Sequence, residues 1–162
     1  MMGLTIEDRL ALRSLVDAYA DAVDRVDPAA AASLFLPAGR LVVADPADPE
    51  HPLTARIGRD EIIAALGRLG RYRALTHVVG GQVLGRVDAS GAAVGSGAAN
   101  AVTGVTACLA NHVYERDGRA RLLVMGIHYH DTYGLEGGTW HFAERRLEIG
   151  WRDDRWLGEG AS

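Results

Sequence analysis

The chain has 162 residues, 48% hydrophobic and 23% charged, with a formal net charge of -4; this suits one domain with one core and gives no electrostatic basis for binding nucleic acid or an anionic membrane. All 17 basic residues are arginine, which excludes a Schiff-base lysine. Cys108 is the single cysteine, so no internal disulfide forms and a packed thiol in a cytoplasmic protein is expected, the first residues reading as neither a signal peptide nor a membrane span.

Thr5 with Asp8 three residues on predicts a capped helix start. Leu12, Leu15, Val16, Tyr19 and Val23 follow at helical spacing, and the helix ends at Asp24. Asp27-Pro28 pairs an N-cap with a first-turn proline, so a second, Ala-rich helix starts there and reaches Leu34-Phe35-Leu36. Arg40 to Ala44 reads as a strand, and Asp45 to Pro52, with three prolines and three acids, as a loop near a pocket opening. A third helix is predicted over Glu61–Leu69.

From Arg73 the pattern becomes β. Strands are predicted over Arg73–Val87, Ala92–Leu109, Leu122–Tyr133 and Thr139–Trp151, with turns at Asp88–Gly91, Asp117-Gly118 and Gly134–Gly138. Three helices with a short strand pair between them, followed by an antiparallel meander, predict an α+β domain. Its curved antiparallel sheet forms a cone, capped by the N-terminal helices, that suits a small ligand. Glycines inside the strands fit the bends or bulges that curve such a sheet.

The informative pair is Asp24, at the end of the first helix, and His77, which opens an apolar strand in Thr76-His77-Val78-Val79-Gly80-Gly81. A carboxylate that orients a histidine makes a general base near neutral pH. On the last strand, His141, Ala143, Arg145, Leu147, Ile149 and Trp151 are expected to share the inner face, and Leu123, Met125, Ile127 and Tyr129 to match them on its neighbour. His128 and His130 then face outward, where two or three copies of the chain would associate through the sheet. With that phasing, His112, His128 and His130 make no metal site. Tyr19 and Tyr129 suit either hydrogen bonds to a substrate carbonyl or core packing, and Val79, Met125 and Ile127 are expected to line the pocket with them. Arg145 either neutralises a developing anion or pairs with Glu144 or Asp131. Gly80-Gly81, inside a strand with no helix following, is not a phosphate loop.

Three segments in this order resemble the SnoaL-like branch of the nuclear-transport-factor-2-like superfamily. They are Leu15-Val16-Asp17-Ala18-Tyr19 running to Val23-Asp24, Thr76–Gly81, and Tyr129-His130-Asp131-Thr132-Tyr133 followed by Trp140–Leu147. The resemblance spans Thr5 to Trp151 and implies a single domain over residues 1–162. Within the superfamily, scytalone dehydratase and hexachlorocyclohexane dehydrochlorinase look most similar. Both eliminate a small leaving group from a ring using a helix-end Asp paired with a His that opens the third strand; those roles fall on Asp24 and His77. The dehydrochlorinase's last-strand arginine falls on Arg145, and its helix lysine falls near Tyr19. The dehydratase's second histidine has no match in Asn100–Thr103, and His112 is the nearest candidate. The resemblance therefore implies a lyase or isomerase that uses no cofactor on a small cyclic substrate. The alternatives are a non-catalytic ligand-binding or scaffold subunit, as in ring-hydroxylating dioxygenases, and a ketosteroid-isomerase-like enzyme. The last would need Asp131 as base beside Tyr129, and the two are read as opposed on their strand.

Overall fold

A computed structural model describes residues 4–44, 52–86 and 102–158. The predicted loop residues 45–51, the turn over Asp88–Gly91 and the first part of the strand predicted from Ala92 lie outside the described residues.

Helix α1 (Ile6–Asp24) starts at the predicted capping box: the Thr5 hydroxyl accepts from the Asp8 N–H, and the Asp8 carboxylate accepts from the Thr5 N–H. The expected stripe is buried, with Leu12 and Val16 wholly enclosed. The helix stops where Val26 takes a positive φ of 54°. Asp27 then caps α2 (Pro28–Ser33) by accepting from the Ala30 N–H.

Helix α2 ends sooner than its alanine run suggests, because Phe35 already belongs to strand β1 (Phe35–Val43). The Phe142 N–H donates to the Leu34 carbonyl, and the rings of Phe35, Phe142 and Tyr19 pack together. Tertiary pairing thus overrides the helix-favouring local sequence. Pro37 falls in the stretch between Phe35 and Arg40 where the register shifts, so its missing N–H leaves no ladder gap. Strand β2 (Thr54–Ile57) pairs back on β1, and helix α3 (Arg59–Gly67) continues into a 3₁₀ turn (Arg68–Arg71).

Strands β3 (Ala74–Arg86), β4 (Val102–Arg116), β5 (Arg119–Glu136) and β6 (Thr139–Trp156) form the predicted meander. The described residues make one six-stranded sheet in the order β2-β1-β6-β5-β4-β3. It is mixed, not purely antiparallel, because β1 lies parallel to β6. The β4–β5 turn places both Asp117 and Gly118 at positive φ, 53° and 70°, as a tight two-residue hairpin requires. The β5–β6 hairpin extends beyond the expected strand ends. Arg121 bonds Asp154 there and lies 4.4 Å over the Trp156 ring.

Curvature comes from bulges. One falls in β3 between Val79 and Gln82, at Gly80-Gly81. Two fall in β6, and they correct the predicted phase of that strand. With Thr132 opposite Glu144 and Tyr133 opposite Phe142, Ala143 is the extra residue. Phe142, wholly buried, therefore takes the inner position expected of His141 and Ala143. With Gly126 opposite Trp151 and Ile127 opposite Ile149, Gly150 is the second extra residue. Trp151 leaves the inner face, half exposed beside Val78, Leu109 and His128. Between the bulges, Arg145, Leu147 and Ile149 keep the expected inward phase.

Candidate functional site

The end of α1 meets the start of β3. The Asp24 carboxylate uses both oxygens on His77: Oδ1 lies 2.6 Å from Nδ1, and Oδ2 accepts the His77 backbone N–H at 3.0 Å. The second bond fixes the carboxylate against the strand, so the first has one geometry. A carboxylate at a helix C-terminus is disfavoured by the helix dipole, and these two donors offset that cost. The His77 side chain is 6% exposed and Asp24 26%.

His77 forms part of the wall of a cavity of about 260 Å³ between the helices and the sheet. Tyr19, Met125, Ile127 and Tyr129 also line it, as the strand phasing predicts. Val23, Leu66, Leu147 and Ile149 contribute further apolar wall. Val79 does not reach it; it packs on the main core, one step along β3 and next to the bulge. Asp24 sits behind His77 and holds it from outside the lining.

His112, in the sequence only the nearest candidate for a second histidine, also lies in the cavity wall. Leu75 on β3 pairs with His112 on β4, which sets the His112 ring 5.6 Å from that of His77 in the same cavity wall. Both ring nitrogens of His112 are buried without a partner. Burial first, and then the neighbouring His77, lower its pKa to about 4, so it is neutral at physiological pH. An unpartnered buried polar group is costly, and a cavity that admits a polar ligand group gives it a bonding partner. The signal available in sequence was period two along β4, which puts His112 on the face of Ala110 and Cys108.

Arg145 lies one layer beneath the cavity, not in its wall. Asp131 sits directly opposite it on β5, and the two form a bidentate ion pair at 2.9 and 2.8 Å with both side chains wholly buried. The structural partner foreseen as Asp131 is therefore the one formed, while Glu144 pairs with Arg40. The guanidinium is 4.4 Å from the Tyr19 ring centre, 4.2 Å from Tyr129 and 4.1 Å from Phe142. Burial would discharge Arg145, but Asp131 outweighs that and holds it charged. Tyr133 donates to Asp131, and Gln82 donates to Tyr133. Asp131 and Tyr129, read from sequence as opposed, both point inward, as two-residue spacing requires. Asp131 is nevertheless fully occupied by Arg145 and Tyr133.

Burial pushes the Tyr19 phenol up to about 12 and raises Tyr129 well above its ordinary value, so both serve as neutral hydroxyls. Cys108 is buried and its thiol is raised by that burial, as a packed thiol requires. His128 and His130 are exposed on the outer face, and His130 pairs with Glu148. Among the described residues no group of three or more metal-ligating side chains comes together. No described helix is long and apolar enough to cross a membrane.

The family comparison bears on the fold that carries this cavity. A family model described as the SnoaL-like domain matches residues 4–146. The chain belongs to this family. Among solved structures, it is similar to a candidate scytalone dehydratase from Novosphingobium aromaticivorans, with TM-score 0.69 and 19% identity over 97% of this chain and 96% of the other. A candidate aromatic ring hydroxylase from the same organism gives TM-score 0.72 and 19% identity over 96% of each chain. A hexachlorocyclohexane dehydrochlorinase from Novosphingobium barchaimii gives 0.69 and 15% identity, over 95% of this chain and 92% of that one. At these identities the likeness establishes the fold. No curated protein sequence matches the chain.

Proposed function

We propose that this SnoaL-like protein is a lyase of the dehydratase or elimination type, or an isomerase using the same proton transfer, acting on a small cyclic or aromatic substrate. The observation that carries the reading is the 2.6 Å contact between Asp24 and His77 Nδ1 at the wall of a largely apolar cavity. With Nδ1–H donated to Asp24, the lone pair of His77 Nε2 is the one left to meet a substrate. Nε2 takes a proton from a carbon next to a carbonyl or leaving group. The C–H electron pair becomes the new double bond, and the leaving group departs with its own bonding pair. The imidazolium so formed is stabilised by Asp24, then returns its proton to the departing hydroxide, or to another carbon in an isomerisation. His112, neutral and without a partner, offers an N–H to the leaving group or carbonyl oxygen, and the Tyr19 and Tyr129 hydroxyls suit the same task. The step as written uses no cofactor.

Arg145 acts here as a positioning residue. It is held by Asp131 and meets the cavity only through the tyrosine rings stacked on it. The scaffold alternative expects a cone filled by side chains, and the open cavity favours catalysis instead. The isomerase variant with Asp131 as base is disfavoured, since that carboxylate is consumed by its ion pair. Self-association belongs to the same reading: Val78, Val105, Leu109 and Trp151 leave apolar surface on the outer face of the sheet, where a dimer or trimer would form.

The test is a panel of cyclic β-hydroxy ketones and halogenated rings, followed by the absorbance of the conjugated product. Turnover by the native protein that is lost in both His77→Asn and Asp24→Asn supports the reading. Turnover untouched by either substitution overturns it.

A further inference from the structure

The elimination reading leaves two cavity arginines unexplained. Arg56 is placed by register: on β2 it pairs with Leu41 of β1, while Thr54 pairs with Val43, and all four line the cavity. Arg68 opens the 3₁₀ turn after α3, and Ala65, Leu66 and Leu69 around it line the same space. Among the described residues that line the cavity there is no carboxylate. Arg13, Arg25, Arg40, Arg121 and Arg145 each meet an Asp or Glu. Among the described residues, Arg56 and Arg68 meet none. Arg56 Nη1 donates to the adjacent Ala55 carbonyl at 3.0 Å.

We propose that the ligand of this cavity is a cyclic organic carboxylate, its anionic group held by Arg56 and Arg68 and its ring body by the apolar wall. The inference deepens the acid–base reading of the same site and rests on the cavity's being its substrate pocket. Guanidinium forks match a carboxylate's two oxygens; Arg56 is half-buried beside the apolar wall, where the attraction is stronger than in water, while Arg68 is exposed and adds a more solvent-screened charge. The remaining polar demand in the wall is small and local: the His77 ring, the unpartnered nitrogens of His112, and two tyrosines. A ligand with one anionic end, an apolar ring and one polar substituent satisfies all three parts. At about 260 Å³, the space falls near the lower end of ligand pockets, roughly 300–1,000 Å³, which restricts the body to one or two rings.

Isothermal titration of the native protein with 2-naphthoate and with its neutral isostere 2-naphthamide tests this directly, alongside benzoate and salicylate as smaller acids. The native protein should bind the best acid about tenfold or more tightly than the amide, the scale of charge-assisted hydrogen bonds. Arg56→Gln and Arg68→Gln should each reduce that preference, and the double variant should abolish it. Equal binding of acid and amide, a preference that survives in the double arginine variant, or no binding of any of the three acids would overturn the proposal. The two readings fail separately. An arginine-dependent preference with no turnover of any acid upholds the anion site and counts against catalysis. Turnover of neutral rings that ignores both arginines upholds the base and removes the acid.

Discussion

The imidazole rings of His77 and His112 lie 5.6 Å apart on neighbouring strands, yet only His77 has a carboxylate. The difference follows from position. His77 is on β3, against the end of α1 that carries Asp24, whereas His112 is one strand further in, where no described acid bonds it. Two equal side chains thereby acquire unequal chemistry.

Asp24→Asn should keep the fold and lower turnover by about two to four orders of magnitude, the usual weight of positioned acid–base catalysis. A substrate-free readout exists as well. Nitrogen-15 spectra of His77 should show the Nδ1–H tautomer in the native protein, and lose that preference in the variant. An unchanged tautomer would detach Asp24 from the role assigned to it.

His112 sets a pH dependence of stability. Its folded pKa, about 4, lies below the ordinary 6.5. Above pH 6.5 both folded and unfolded forms are neutral and no penalty exists. As pH falls from 6.5 toward 4, the unfolded chain takes up a proton that the folded one refuses, so this residue's contribution to stability declines and levels off below 4. His112→Phe should flatten that part of the curve, as read by urea unfolding at pH 7 and at pH 4.5. A variant whose loss on acidification equals the native one would refute it.

The ion pair beneath the tyrosines makes a sharper stability prediction. Arg145→Met leaves Asp131 buried and uncompensated, which costs about 3–5 kcal/mol. Adding Asp131→Asn should recover a large part of that loss, because it removes the orphaned charge. Denaturant midpoints for the two single variants and the double variant measure the coupling.

Gly104 lies under Tyr133, where an added Cβ would come within 2.9 Å of the hydroxyl and 3.0 Å of the ring. Gly104→Ala should destabilise by about 1–3 kcal/mol through overpacking and disturb the Tyr133–Asp131 bond. A thermal shift assay suffices, and an unchanged midpoint would mean that the ring moves aside freely.

Val78, Leu109 and Trp151 on the outer face supply the last prediction. Sedimentation should show the native chain as a dimer or trimer, and Leu109→Asp should shift it to the monomer. A native monomer at high concentration would remove the sheet as an assembly surface.

The sequence by itself determined what local rules control. Thr5 with Asp8, the stripe from Leu12 to Val23, Asp27-Pro28 and the Asp117-Gly118 turn each encode an element through bonds spanning a few residues. The inward set Met125, Ile127 and Tyr129 followed from period two alone. Asp24 and His77 were legible because they sit at element ends in a recognisable order. Tertiary structure decided the rest. Phe35 joined β1 rather than α2 because Phe142 and Tyr19 pack against it. Ala143 and Gly150 became bulges, which sent Trp151 outward and Phe142 inward, since closing a curved sheet demands extra residues at places no local pattern marks. Arg145 was drawn out of the cavity because Asp131 lay opposite it across a ladder. His112 and the two cavity arginines, Arg56 and Arg68, came together only through strand register and the docking of α3, which depend on residues far apart in the chain.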